Sequence, residues 1–210
     1  MLTAPANNLI LQIKEKFQQK IGSLFIDNRL EPQESVTITG TVVSVPRAIT
    51  ERRDLLGYST AGIKPGDHVI FRYTVIASFS AQPKNDSNVF KNRIWHEGQE
   101  YWRCSIMEVF AVIRGEEIMM VNGYVMTDLP SETSLIYRTT VKDYDCTTAR
   151  VLNIGWRRTH EPAIPVEKGD TIYFHPRLAQ HYRIDEKQFL IIRQSHVLGV
   201  RGLREEIMEA

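Results

Sequence analysis

The 210-residue chain has 26 basic and 25 acidic side chains and a net charge of +1, so it projects no global field toward nucleic acid or an anionic membrane. With 42% hydrophobic and 24% charged residues, it has the make-up of a globular protein with one large or two small cores. No stretch approaches a membrane span, because Arg114, Glu116 and Glu117 interrupt the most apolar region.

Residues 1–8 are a polar lead without the basic start and apolar run of a signal peptide. Cys104 and Cys146 stand far apart in no paired motif, the usage of a reducing compartment. Together these features predict a cytoplasmic protein. Leu9 to Lys16 reads as a first strand with Leu9, Leu11 and Ile13 on one face. The helix formers of Lys14 to Lys20 leave a short amphipathic helix as the alternative.

Residues 17–35 are polar except for one island, Ile21-Gly22-Ser23-Leu24-Phe25-Ile26. The island admits two readings: a core strand, or an arm that docks an apolar tip on a partner and hinges at Gly22. Val36 to Val45 is a strand of β-branched residues. The connection from Pro46 to Gly62 carries Arg47, Arg52 and Arg53, and a shorter one from Trp156 to Val166 carries Arg157 and Arg158. Each is either a solvated tip or part of a basic rim facing an acidic partner.

Lys64-Pro65-Gly66-Asp67 is turn chemistry, followed at once by the strand His68-Val69-Ile70-Phe71. Residues 79–99 form a polar insertion, expected to be a surface excursion. Tyr101 to Ile106 returns to strand pattern, and Phe110 to Met126 is predicted to complete a first repeat. Residues 128–133 are a linker in which Pro130 breaks any ladder.

The second half repeats the first. Lys168-Gly169-Asp170-Thr171-Ile172-Tyr173-Phe174 matches the Gly-Asp strand, and Thr148 to Gly155 matches Thr39 to Val45. Phe189 to Val200 answers Phe110 to Val121, with Phe110/Phe189, Ile113/Ile192, Arg114/Arg193 and Val121/Val200 in register. Leu135-Ile136-Tyr137 answers Leu9 to Ile13. Four pieces in one order, twice, argue for a duplication. The expected domains are residues 8–128, with the 17–35 loop and the 79–99 insertion, and residues 134–202, in which the loop is lost.

Catalytic signals are missing from the sequence. It has no Gly-rich phosphate loop, no nucleophile elbow and no metal-ligand spacing. His175 and His181 flank Pro176-Arg177 without a further ligand. Neither an enzyme nor a bound cofactor or metal is expected.

The order of strand, apolar-tipped loop, Gly-Asp strand and closing β pair resembles the GroES-like co-chaperonins, the chaperonin-10 family, in a tandem form. The resemblance rests on Gly66 to Phe71, on Gly169 to Phe174 and on the Phe-x-Ile-Ile-Arg-x-x-x-Val-x-x-Val close at Phe189 to Val200. It implies an all-β fold of two tandem GroES-like small antiparallel β-barrels. It implies a co-chaperonin that caps a large chaperonin ring of the chaperonin-60 type and assists protein folding. The docking loop would then present Leu24-Phe25-Ile26 behind Gly22 and Ser23. The last strand of one barrel would pair with the first of the next. Leu9, Leu11 and Ile13 at one end and Val197 and Val200 at the other would be left as edges for a homo-oligomeric ring of three or four chains. The alternative is a structural or adaptor protein, cellular or viral, that reuses such barrels to build an assembly.

Overall fold

A computed structural model describes residues 2–14, 20–21, 24–25, 38–49, 60, 62–76, 92–129, 146–156, 164–184 and 187–201. The chain divides into two compact units, residues 1–118 and 119–210. Among the described residues, both are built from antiparallel strands joined by tight turns and single 3-10 turns. The fold class is all-β.

In the first unit β1 (Asn8–Gln12) is followed by two short strands, β2 (Lys20–Ile21) and β3 (Leu24–Phe25). Then come β4 (Thr39–Ser44), β5 (His68–Phe71), β6 (Arg93–His96), β7 (Gln99–Ser105), β8 (Val109–Arg114) and β9 (Glu117–Met120). The main sheet has the order β6-β7-β1-β4-β5-β8-β9, and the unit boundary falls within β9. Its core is apolar, although Trp95 of β6 is exposed. Leu9, Leu11, Val69, Phe71, Trp102 and Phe110 are fully buried.

The second unit contains β10 (Tyr124–Thr127), β11 (Thr147–Ile154), β12 (Thr171–Phe174), β13 (Gln180–Ile184), β14 (Lys187–Arg193) and β15 (Val197–Arg201). The sheet order is β13-β14-β10-β11-β12-β15. Val125, Val151, Ile172, Phe174, Leu190 and Ile192 form its core. Phe189 to Ile192 is buried on both faces, as its unbroken apolar run predicts.

Six strands of the first sheet, β6-β7-β1-β4-β5-β8, repeat the order β13-β14-β10-β11-β12-β15 of the second. β7-β1-β4-β5-β8 and β14-β10-β11-β12-β15 carry register shifts at equivalent places. These lie between Ile10 and Leu11 and between Met126 and Thr127, and again between Ile70 and Phe71 and between Tyr173 and Phe174. The Gly-Asp turns match bond for bond. The Val42 N–H donates to the Asp67 carbonyl and the Gly66 N–H to the Val42 carbonyl; Val151, Asp170 and Gly169 do the same. Gly66 and Gly169 sit at φ 93° and 98°, backbone that a side chain would strain.

This topology corrects the repeat boundaries. β1 corresponds to β10, so the second repeat opens at Tyr124 rather than near Ser134, and Tyr124–Thr127 does not close the first. Leu135 to Tyr137 is therefore not the counterpart of β1. It lies in the β10–β11 connection, outside the described residues. Asn122 and Gly123, at φ 56° and 73°, form the turn that cuts the apolar run of 118–126 in two. The closing pieces also shift: β14 answers β7 and β15 answers β8, so Phe189 is not the partner of Phe110.

Residues 92–99 of the expected insertion belong to the β6–β7 hairpin, which turns at Glu97-Gly98 and has its counterpart in β13–β14. Leu9 and Leu11 are not at an edge either, because β1 has β4 on one side and β7 on the other; Ile13 just beyond it is buried.

Candidate interaction site

The loop after β1 is where the apolar island falls. β2 and β3 pair antiparallel, Lys20 with Phe25 and Ile21 with Leu24, around Gly22 and Ser23. Among the described residues, this two-stranded ribbon shares no ladder with the two larger sheets. Leu24 and Phe25 lie in β3, whereas Gly22, Ser23 and Ile26 fall outside the described residues. In the second unit the equivalent connection, β10 to β11, spans residues 128–146 and contains Ser134-Leu135-Ile136-Tyr137. The loop's counterpart is therefore not lost from the chain.

The far end of the second sheet is β15, bordered by β12. Val197 is buried in the core and Val200 packs against it, while Leu198 is 56% exposed. Gly199 lies beneath the Tyr173 ring, 3.5 Å from where a Cβ would stand. Among the described residues no strand borders the other side of β15.

The Gly-Asp turn of the first unit carries a clamp that sequence reading missed. The Lys64 N–H donates to Asp67 Oδ2 at 2.8 Å. Arg114, at the end of β8, donates from Nε to Asp67 Oδ1 at 3.0 Å and from Nη2 to Oδ2 at 2.7 Å; Nη2 also reaches the Gly62 carbonyl. The Arg114 hydrogen bonds hold the Asp67 carboxyl below its ordinary value of 3.8 against the opposing effect of burial. The second unit keeps the Asx bond, from the Glu167 N–H to Asp170 Oδ2 at 2.8 Å.

Because the Asp67 value is lowered on folding, the clamp's stabilisation is present above pH 3.8 and is lost as pH falls through the folded-state value. Arg114→Ala is therefore expected to lower stability at pH 7, with the gap from wild type closing in acid. Urea melts at pH 7 and pH 3 measure this; an undiminished gap at pH 3 would remove the ion pair as the cause.

A second anchor fixes β10. Arg193 Nη2 donates to the Tyr124 hydroxyl at 3.3 Å and its guanidinium stacks on the ring at 5.4 Å. Gln194, buried in the 3-10 turn before β15, donates from Nε2 to the Gly155 carbonyl at 2.7 Å. Sequence reading missed Gln194; its position between two apolar strands was the signal for its burial.

Cys104 and His175 hold structural positions, whereas Cys146 is free and exposed. Burial, aided by Glu108, pushes the Cys104 thiol well up, so it is no nucleophile at neutral pH. His175 Nδ1 accepts from the Arg177 N–H at 3.2 Å and caps a 3-10 turn. Of the basic tips, Arg47 is exposed, and Arg52, Arg53, Arg157 and Arg158 lie outside the described residues. No helix among the described residues is long and apolar enough to cross a membrane.

An open-ordered antiparallel sheet with a Gly-Asp turn and a long loop after its first strand defines the class, and the comparison agrees for the second unit. Residues 125–201 match the family model of the chaperonin 10 Kd subunit. Its first matched residue falls in β10, in line with the corrected start of the repeat. No curated protein matches the chain.

Proposed function

We propose that the chain is a tandem co-chaperonin whose first unit is a second, diverged chaperonin-10 domain. It caps a chaperonin-60 type ring and assists folding. The observation that carries this reading is the strand-for-strand repeat of the 125–201 family domain in residues 8–114, down to the same turn hydrogen bonds. The docking element is the ribbon of β2 and β3, with Leu24, Phe25 and Ile26 as the apolar contact and Gly22 and Ser23 between the two strands in sequence. Its separation from the main sheets supports this role, because it can engage a partner without breaking a sheet ladder.

Each ribbon binds weakly, since ordering a loop offsets part of its contact energy. Several tethered ribbons on one oligomer restore affinity through effective concentration. With two domains per chain, three or four chains present six or eight domains to the partner ring. The work is binding, with no bond chemistry and no cofactor.

Immobilised full-length chain is expected to retain a chaperonin-60 ring in the presence of ATP and magnesium, and to release it when nucleotide is removed. A chain that assembles but retains no ring under either condition would sink this reading in favour of a purely structural assembly protein.

A further inference from the structure

We infer that Asn122-Gly123 is a modification site that the fold holds shut. The asparagine converts to aspartate or isoaspartate when the turn between β9 and β10 opens, and the converted chain does not close that turn again. The inference is independent of chaperonin binding.

This is the only Asn-Gly dipeptide in the chain. A glycine has no Cβ to shield its own amide nitrogen, so that nitrogen can reach the preceding side chain once the backbone is free. The Gly123 nitrogen then bonds to Asn122 Cγ and gives up its proton, and Nδ2 leaves as ammonia with that proton. The cyclic imide so formed takes up one water. Opening at the side-chain carbonyl leaves an aspartate, and opening at the main-chain carbonyl leaves an isoaspartate. No electrons are exchanged, and water is the sole co-reactant.

The folded turn withholds each participant. Asn122 and Gly123 are its two left-handed residues, and the Tyr124 N–H closes it on the Val121 carbonyl at 3.2 Å. Such a turn selects Asn-Gly for its backbone freedom. The attacking nitrogen keeps its proton, because the Gly123 N–H donates to the Trp156 carbonyl at 2.9 Å. The Gly123 carbonyl accepts from the Gln194 N–H at 2.8 Å, and the Tyr124 carbonyl from the Gly155 N–H at 2.8 Å. Gln194 Nε2 in turn holds the Gly155 carbonyl at 2.7 Å. Gly155 packs so closely that a Cβ would stand 2.8 Å from the Val121 nitrogen. Asn122 itself is 1% exposed, which keeps the hydrolytic water away.

The repeat does not call for an asparagine here. In the first unit the turn before β1 also closes on a carbonyl three residues back, from the Asn8 N–H to Pro5 at 3.2 Å. Ala6 stands there in the place of Asn122 and is exposed. The left-handed residue of that turn is Asn7, and Asn8 rather than a glycine follows it. Conversion at Asn122 runs one way because its products do not fit. An aspartate takes a carboxylate out of water, which is costly in a buried site. An isoaspartate routes the backbone through the side chain and lengthens the turn by one carbon. β10 begins at Tyr124 and is bordered by both β11 and β14, so a displaced entry disturbs two ladders. The dipeptide therefore records an opening of this turn permanently.

The test incubates the full-length protein in mildly alkaline buffer, with and without urea above its unfolding midpoint. Peptide mapping follows the amide-to-acid mass gain at Asn122 and separates aspartate from isoaspartate. Conversion is expected to be slower in the native protein by on the order of a hundredfold or more, a ratio set by how seldom the turn opens. Gln194→Ala removes the bond to the Gly155 carbonyl. It should raise the native rate on the order of tenfold, the scale of one lost buried hydrogen bond, and leave the rate in urea unchanged. Asn122→Asp is expected to melt at lower urea than the wild type. Asn122→Gly, which keeps the left-handed backbone without a charge, should melt above Asn122→Asp.

Equal conversion with and without urea, or no conversion in urea, would overturn the inference. So would a native rate that a folded Gln194→Ala protein leaves unmoved; if that variant does not fold, the wild-type ratio decides alone. An Asn122→Asp protein as stable as the wild type would overturn the one-way step. Retention of a chaperonin ring plays no part in these readouts, so the co-chaperonin reading stands or falls separately.

Discussion

Leu24→Asp combined with Phe25→Asp is expected to abolish retention of a chaperonin ring while leaving both sheets folded. The two residues form β3, whose ladder partner is β2 and neither main sheet. The substitution therefore removes no strand bond from the cores. It replaces the proposed apolar contact with two carboxylates, and an unpaired charge taken from water costs several kcal/mol in real proteins. Every chain of the oligomer carries the defect, so the multivalent gain, on the order of 10²–10⁴, is lost together with the single-site affinity. Pull-down with ATP and magnesium measures the loss, and an unchanged far-UV spectrum and melting temperature verify the fold. Retention at the wild-type level would remove the ribbon as the docking element.

Phe174→Ala should cost about 3–5 kcal/mol, the scale for truncating a buried aromatic. Phe174 is fully buried at the end of β12, among Val125, Ala149, Val151, Ile172, Leu190, Ile192 and Val197. The pocket is walled by strands that pair with one another, so it cannot collapse freely onto the gap. A loss of that size approaches the whole stability of a small domain, about 5–15 kcal/mol. The preceding residue, Tyr173, points to the opposite face and is 37% exposed; Tyr173→Ala should cost under about 1 kcal/mol. Urea melts of the two variants make the comparison. Equal losses would show that the inward face of β12 is wrongly assigned.

The parts legible in the sequence are those whose causes are local. Gly66-Asp67 and Gly169-Asp170 announce their turns because positive φ needs glycine and an Asp side chain binds the backbone three residues back. Phe189 to Ile192 announces a strand buried on both faces because nothing polar interrupts it. The register of the repeat was not legible. Apolar strands of similar length resemble one another, so Phe110 to Ile113 could be laid on Phe189 to Ile192 although it occupies the place of Leu198 to Arg201. Asn122-Gly123 and Glu97-Gly98 were the available corrections. Read as tight hairpin turns, they start β10 at Tyr124 and turn most of the supposed insertion's end into β6 and β7. The Asp67–Arg114 clamp joins residues 47 apart in sequence, a separation across which no spacing rule reaches.

Residue chemistry alone determined that this is an all-β protein of repeated Gly-Asp turns and β-branched strands, with an apolar island in its first long loop. Those outcomes depend on backbone freedom and side-chain polarity within a few neighbouring positions. Which strand borders which was decided only by the tertiary structure, because a ladder places residues from opposite ends of a unit side by side. That step moved β1 from a supposed edge to the interior and left β15 with a single described neighbour.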